Sequence, residues 1–289
     1  DNEIQWLPIC ALPQTIIANK TLFDQYGIKV PENYEEYVQV CQQFYDKGIK
    51  PYSMNLAEDW ANQEIIQAAA IGEFTSLAGI DWRNEAETSA GEIKFDDVLW
   101  KRIFSETSQF LKDSHFSEED INVNSNTGTQ MFVEGKSAMF HGQPRDMQKF
   151  QDQMDAELIR IPYFSQTSDS SFVYMFPSLN IAFNKELEKN QEKLDTALDV
   201  LDCMISEQGQ KLIADGSGVI SFNTDVPSMM QNVPGLEEEI KDTSIYIRYS
   251  AQKSFDASLE AVHGLLSGKM DEMQAYNAFR SAMNSKDSK

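Results

Sequence analysis

Gly135, Lys136 and Ser137, in FVEGKSAM, have the residue types of a phosphate-binding loop, in which consecutive backbone N–H groups wrap an anion. The spacing fails. Gln130 stands where the loop needs its first glycine, and the nearest upstream glycine, Gly128, is two residues too far away. The three histidines, His115, His141 and His263, are never three or four residues apart, so no helical zinc pair exists. DINVNSNTGTQMF alternates side-chain oxygens in the manner of a calcium loop. Counted from Asp120 or Asn122, however, its sixth position is not glycine and its twelfth is Met131 or Val133 instead of glutamate. Gly-x-Ser-x-Gly and cysteine-protease signatures are absent from the sequence. A glycosidase pair is defined by separation in space, so 46 acidic residues leave that chemistry open. One stretch joins a flat aromatic ring to carboxylates: NLAEDWAN, with Glu58, Asp59 and Trp60. A sugar offers apolar C–H faces to such a ring and rim hydroxyls to such carboxylates.

The elements that must position these residues alternate in type. Asn33 caps a helix with Glu36 at the reciprocal position, Tyr37, Val38, Val40, Cys41, Phe44 and Tyr45 form its apolar face, and Gly48 ends it. IKPYSMN then reads as a strand, 65–71 as a helix, WRNEAETSAGEIKF as a polar surface excursion, and 98–111 as a helix. A solvated turn leads from 120 into a helix before Gly135. SAMFH, ELIRIP and SLNIAFN read as strands, and 194–213 as a helix broken at Gly209. VPGLEEEIKD is polar, and 255–283 gives two helices separated by the SGK turn at 267–269. Helix–strand alternation of this kind is α/β architecture.

Lys+Arg 24 against Asp+Glu 46 leaves a net charge of −22, which repels phosphate backbones and anionic lipid surfaces and excludes nucleic acid as a partner. Cys10, Cys41 and Cys203 are odd in number and scattered, so they read as buried small hydrophobes instead of a disulfide framework. No apolar run approaches the ~20 residues of a membrane span.

Four blocks in order resemble the carbohydrate-type extracellular solute-binding proteins of ABC importers, the family of maltose-binding protein. LPQTIIANKTLFDQYGIKVPENYEEY is similar to its Leu-Pro strand, Asn-Lys, Leu-Phe and helix start. MFVEGKSAMFHG is similar to its Phe-x-x-Gly-Lys-x-Ala-Met block, where the glycine turns a helix into a strand. IAFNK and ALDVLDCMISEQGQKLIADGSGVIS resemble its Asn-Lys, long helix, Glu-x-Gly-Gln step and Gly-Ile-Ser turn.

The resemblance implies an α/β fold of the periplasmic-binding-protein-like type II, mainly its C-terminal lobe plus the helical return segment of the N-terminal lobe. Residues 1–8 are then a hinge strand, 9–175 and 246–289 the C-terminal lobe, and 176–245 a segment of the N-terminal lobe. Family sequences run roughly one hundred residues ahead of the Leu-Pro segment. The segment 176–245 is therefore expected to expose apolar surface.

The implied function is that of a monomeric, non-enzymatic receptor outside the cytoplasmic membrane, lipid-anchored or periplasmic. It needs no cofactor or metal, binds a sugar between two lobes and hands it to a permease. A carbohydrate-active enzyme or lectin-like module is the alternative, and a surface protein that kept the fold without the binding is a third.

By resemblance Glu58 and Trp60 occupy the family's ligand-touching acid and aromatic, with Asp59 beside them, although Trp60 also reads as a core or rim residue. Phe255 stands where the family often carries a stacking tryptophan, and reads equally as the first core residue of a helix. After AMFHG the family's Gly-x-Trp is missing, and an ungapped count puts Arg145 at the tryptophan. That guanidinium suits hydroxyls or the carboxylate of an acidic sugar, or simply pairs with Asp146. Tyr174 and Phe176 precede the return crossover and face either the cleft or the strand core.

Overall fold

Thirteen residues, LPICALPQTIIAN, form β1 (Leu7–Asn19), the longest strand among the described residues, and every residue from Ile9 onward is buried. Continuous apolar character of this kind is what a strand covered on both faces requires. The computed structural model describes residues 7–88, 92–217, 219–221, 223, 226, 244–249 and 253–285.

β1 serves two sets of partners. Its first half pairs antiparallel with the strand Ser171–Ile181, Leu7 lying opposite Ile181 and Gln14 opposite Tyr174. Its second half lies between Ser137–Gly142 and Leu158–Ile161. In chain order the strands are β2 (Lys50–Ser53), β3 (Ser137–Gly142), β4 (Leu158–Ile161), β5 (Tyr163–Phe164), β6 (Ser171–Ile181), β7 (Ile220–Ser221) and β8 (Ser244–Ile247). β2 runs parallel to β3, and β8 parallel to β6. The mixed α/β class read from the sequence is the one observed.

Asn33 caps α2 (Tyr34–Asp46) as its side chain accepts from Glu36 N at 3.0 Å. The Gly135 turn between α7 (Ser125–Val133) and β3 has φ of 69°, the left-handed region that a side chain disfavours. The tail folds as α11 (Lys253–Leu266) and α12 (Glu272–Met283), parted by the SGK turn.

Four readings change. The stretch 82–95 is not a polar excursion at its start: α5 (Leu77–Thr88) carries Trp82, 4% exposed, into a ring cluster with Phe95 and Trp100. The break in the 194–213 helix falls at Ser206, between α9 (Gln191–Ile205) and α10 (Glu207–Ser217). Ser206 Oγ accepts from Gly209 N at 3.1 Å and so caps α10, while Gly209 is needed because a Cβ there would meet Cys203 O at 2.0 Å. The third strand candidate starts earlier than SLNIAFN, because SFVYMF supplies the buried half of β6. Cys10 and Cys41 are buried, whereas Cys203 is exposed. VPGLEEEIKD lies outside the described residues.

The core gathers around α3 (Asp59–Ala69), which is buried from Ala61 to Ala69 on every side. Its polar residues are therefore anchors. Gln63 Nε2 donates to Ser254 Oγ at 2.6 Å and to Tyr249 O at 3.1 Å, and Tyr246 donates to Gln67 Oε1 at 2.6 Å. These bonds tie the segment after β6 and the tail helix α11 to the helix that starts at Trp60. By contrast α9 has no buried residue, and Val200 in it and Leu212 in α10 are 56% and 67% exposed.

α6 (Asp97–Asp113) contains the carboxyl of Glu106, which burial, with Glu73 nearby, pushes up to about 7. Oε2 of Glu106 is buried without a hydrogen-bond partner among the described residues. A folded-state pKa above the unfolded value favours the protonated fold, so its stabilising effect is full below about 4.5 and fades as pH rises through about 7. Melting Glu106→Gln beside the native chain is expected to give matching stability at pH 5 and a more stable variant at pH 8. The gain at pH 8 is on the order of 1–2 kcal/mol after solvent screening. Equal differences at both pH values would contradict it.

Candidate functional site

β2 and β3 are parallel, so their C-terminal ends lie on one edge of the sheet, where open α/β sheets form their crevices. Asn55 follows β2, and Gly142 and Gln143 end β3. Three helices begin at this edge: α3 at Asp59, α7 at Ser125 and α8 (Pro144–Gln151). Between them lies a cavity of about 310 Å³ with Gln14 of β1, Trp60 and His141 among its walls.

At α7 and at the entry to α8 side chains take up the backbone amides. Asn124 accepts from Asn126 N and Thr127 N at 3.0 Å each, and Asp146 accepts from Gln143 N at 2.9 Å. With those amides occupied, side chains decide the polarity of the cavity.

Its floor rests on a buried carboxylate. Glu64 is 1% exposed and takes three donors. Gln14 Nε2 donates to Oε1 at 3.0 Å, and Arg248 Nη1 bonds the same oxygen. His141 Nε2 stands 2.7 Å from Oε2. A carboxylate only accepts, so Nε2 donates to it, and Nδ1 stands 2.7 Å from Tyr163 Oη. Tyr52 Oη approaches the same nitrogen at 3.3 Å. The imidazole lies under Trp60, ring centroids 6.2 Å apart at 33°. One helix and strands from both sheet halves thus meet at Glu64.

The structure distributes the predicted site residues unevenly. Trp60 lines the cavity, half-buried. Glu58 stands at its rim, accepting from Ser125 Oγ at 3.4 Å, and the exposed Asp59 accepts from Trp60 N at 2.6 Å. The backbone of Arg145 belongs to the first turn of α8, but its side chain lies outside the described residues. Tyr174 is fully buried, packed between Tyr163 and Tyr246 at 5.7 and 5.3 Å. β6 turns that face toward the aromatic interior. Phe176 carries the Arg248 guanidinium 4.1 Å over its ring and packs beside Cys10 and Leu12. Phe255 sits half-buried in the first turn of α11. Neither Phe176 nor Phe255 is among the described residues that line the cavity.

Sequence reasoning missed Gln14, Glu64 and His141. Each carries the same signal: a polar residue inside an apolar run, in LPQTII, QEIIQAA and AMFHG. Such a residue must be paired, and here the three pair with one another.

Comparison with known proteins follows from this geometry. The sequence profile of a family described as bacterial extracellular solute-binding protein matches residues 1–242. No curated protein sequence matches the chain. The fold is similar to that of a family 1 extracellular solute-binding protein from Bifidobacterium longum subsp. infantis, with 14% identity, TM-score 0.75, and coverage of 98% of this chain and 73% of that one. A sugar transporter protein from Bacillus licheniformis, solved in complex with stachyose, gives 14% identity and TM-score 0.70 over 97% of this chain and 74% of its own. A probable secreted solute-binding lipoprotein from Streptomyces coelicolor gives 15% and 0.74 over 99% and 73%. At such identities the likeness is one of fold.

Proposed function

The chain belongs to the bacterial extracellular solute-binding proteins, and from that membership we propose that it captures a sugar or oligosaccharide and delivers it to the membrane permease of an ABC importer. The family is one of binding proteins, which sets the enzyme alternative aside. The observation that carries the sugar reading is the cavity at the strand ends, where the half-buried indole of Trp60 stands among amide, hydroxyl and carboxylate groups. A flat apolar face ringed by hydrogen-bonding groups matches a sugar ring. The fold neighbour solved with stachyose supports the same class.

In this reading residues 9–175 and 246–289 make one lobe, and 176–245 belongs to the other. The absence of buried residues in α9 supports the division. Glu58 and Asp59 contact ligand hydroxyls at the rim, Arg145 adds donors from α8, and Phe176 and Phe255 engage only when the lobes close. Tyr174 contributes from behind, by packing. The protein works as a monomer on the outer face of the membrane, held there by a lipid anchor like that named for the Streptomyces coelicolor neighbour.

Trp60→Ala tests the reading. Titration calorimetry against stachyose and other neutral oligosaccharides is expected to show a loss of about 10- to 100-fold in affinity, since removing a central aromatic platform costs about 1.5–3 kcal/mol. Unchanged affinity in a folded variant would remove Trp60, and this cavity, from the binding site.

A further inference from the structure

We propose that Gln14 is the specificity-determining contact of this cavity, and that Glu64 is the positioning residue that fixes which end of the Gln14 amide the ligand meets. The inference rests on the sugar reading and narrows it: the floor accepts a hydrogen-bond donor, so the ligand is a neutral polyol and an acidic sugar is rejected.

A carboxamide has a donor end and an acceptor end, and an amide 3.0 Å from a carboxylate must present its NH2 there. Glu64 therefore settles the orientation of Gln14. The opposite end, Oε1, is buried and has no partner among the described residues, while Gln14, 3% exposed, lines the cavity. Asn55, 6% exposed, lines the same cavity from the end of β2, but its Oδ1 is turned to Gly128 of α7, where a Cβ would lie 2.3 Å from it, so Gln14 carries the acceptor. A buried acceptor without a donor is costly, and a ligand hydroxyl or N–H that reaches it removes that cost.

The surroundings disfavour the opposite ligand. Asp146 and Lys149 both line the cavity, and the ammonium that an anion would seek is already paired with the Asp146 side chain at 3.7 Å. The nearest buried cation, Arg248, is bound to Glu64 and stacked on Phe176. A uronate carboxylate at the floor would bring an acceptor against the Gln14 carbonyl, in a chain of net charge −22.

Two measurements test the proposal. Titration with a neutral oligosaccharide series and with uronate oligomers of matching length is expected to favour the neutral member by about tenfold or more. In Gln14→Leu, which keeps side-chain bulk, the neutral ligand weakens and the ratio narrows toward one. A merely structural role would weaken both ligands alike and leave the ratio unchanged. That result, or a native preference for uronates, would overturn the proposal while leaving the sugar reading intact.

The second measurement needs no ligand. In nitrogen-labelled protein the side-chain NH2 signal of Gln14, assigned by its loss in Gln14→Leu, is expected to exchange slowly with water, and to exchange faster in Glu64→Gln. Free exchange in the native chain overturns the amide lock. Should no carbohydrate of either series bind, the sugar reading of the cavity falls, and the exchange experiment still judges the lock.

Discussion

Glu64→Leu is expected to lower the unfolding free energy by about 3–5 kcal/mol, the scale measured when one partner of a buried ion pair is removed. The reason is what stays behind. Arg248 would remain with a guanidinium whose Nε is already without a partner, and Gln14 and His141 would each lose the acceptor that fixes their side chains. Gln14 and His141 are buried and held in β1 and β3, and Arg248, directly after β8, is only partly open to water. Urea denaturation should show the midpoint falling with little change in slope. Glu64→Gln should lose less, because it keeps volume and one acceptor oxygen, but its new NH2 must face either Arg248 or His141, both donors. A loss below about 1 kcal/mol for Glu64→Leu would mean that the carboxylate is not the support of the cavity floor.

The support was hidden from sequence reading for a physical reason. Trp60, with its acidic neighbours, is visible because exposure of an aromatic beside carboxylates is already unusual in a linear chain. Glu64 is four residues further along the same helix, and its partners are 50, 77 and 184 residues away in sequence. No local pattern joins them; only the folding of β1, β3 and the segment after β8 around α3 does. The same holds for Tyr174 against Trp60. Both are aromatics in plausible places, and which faces the cavity depends on how β6 is oriented in the sheet, a choice made by long-range strand pairing. Local features were readable where the physics is local: the Asn33 cap, the Gly135 turn and the paired tail helices all follow from neighbours within a few residues. The polar start assigned to 82–95 failed because Trp82 finds its burial against Phe74 and Trp100 of other helices.

That ring cluster is the subject of the other large effect. Trp100 is fully buried, 4.5 Å from the Trp82 ring and stacked on Phe279 at 4.8 Å, with Phe95 at 5.0 Å. Trp100→Ala is expected to cost about 3–5 kcal/mol through lost burial and the cavity left among rings that cannot all collapse into it. The indole Nε1 is buried without a hydrogen-bond partner among the described residues, so the cost is one of packing. Trp100→Phe should therefore lose far less, within about 1.5 kcal/mol, because it keeps most of the aromatic contact and removes an unsatisfied donor. A large loss in Trp100→Phe would mean that the indole N–H has a partner in solution. The effect should also reach the ligand cavity by a defined route. Phe279 holds α12 on Trp100, α12 packs on α11, and Ser254 of α11 holds Gln63 of the helix that starts with Trp60. Loosening of Trp100 is thus expected to weaken oligosaccharide binding less than it weakens the fold, since α3 keeps its own anchors at Tyr249 and Glu64. A variant that melts early yet binds almost normally at low temperature would fit that order, whereas loss of binding without loss of stability would mean that Trp100 acts on the site by a path other than α12 and α11.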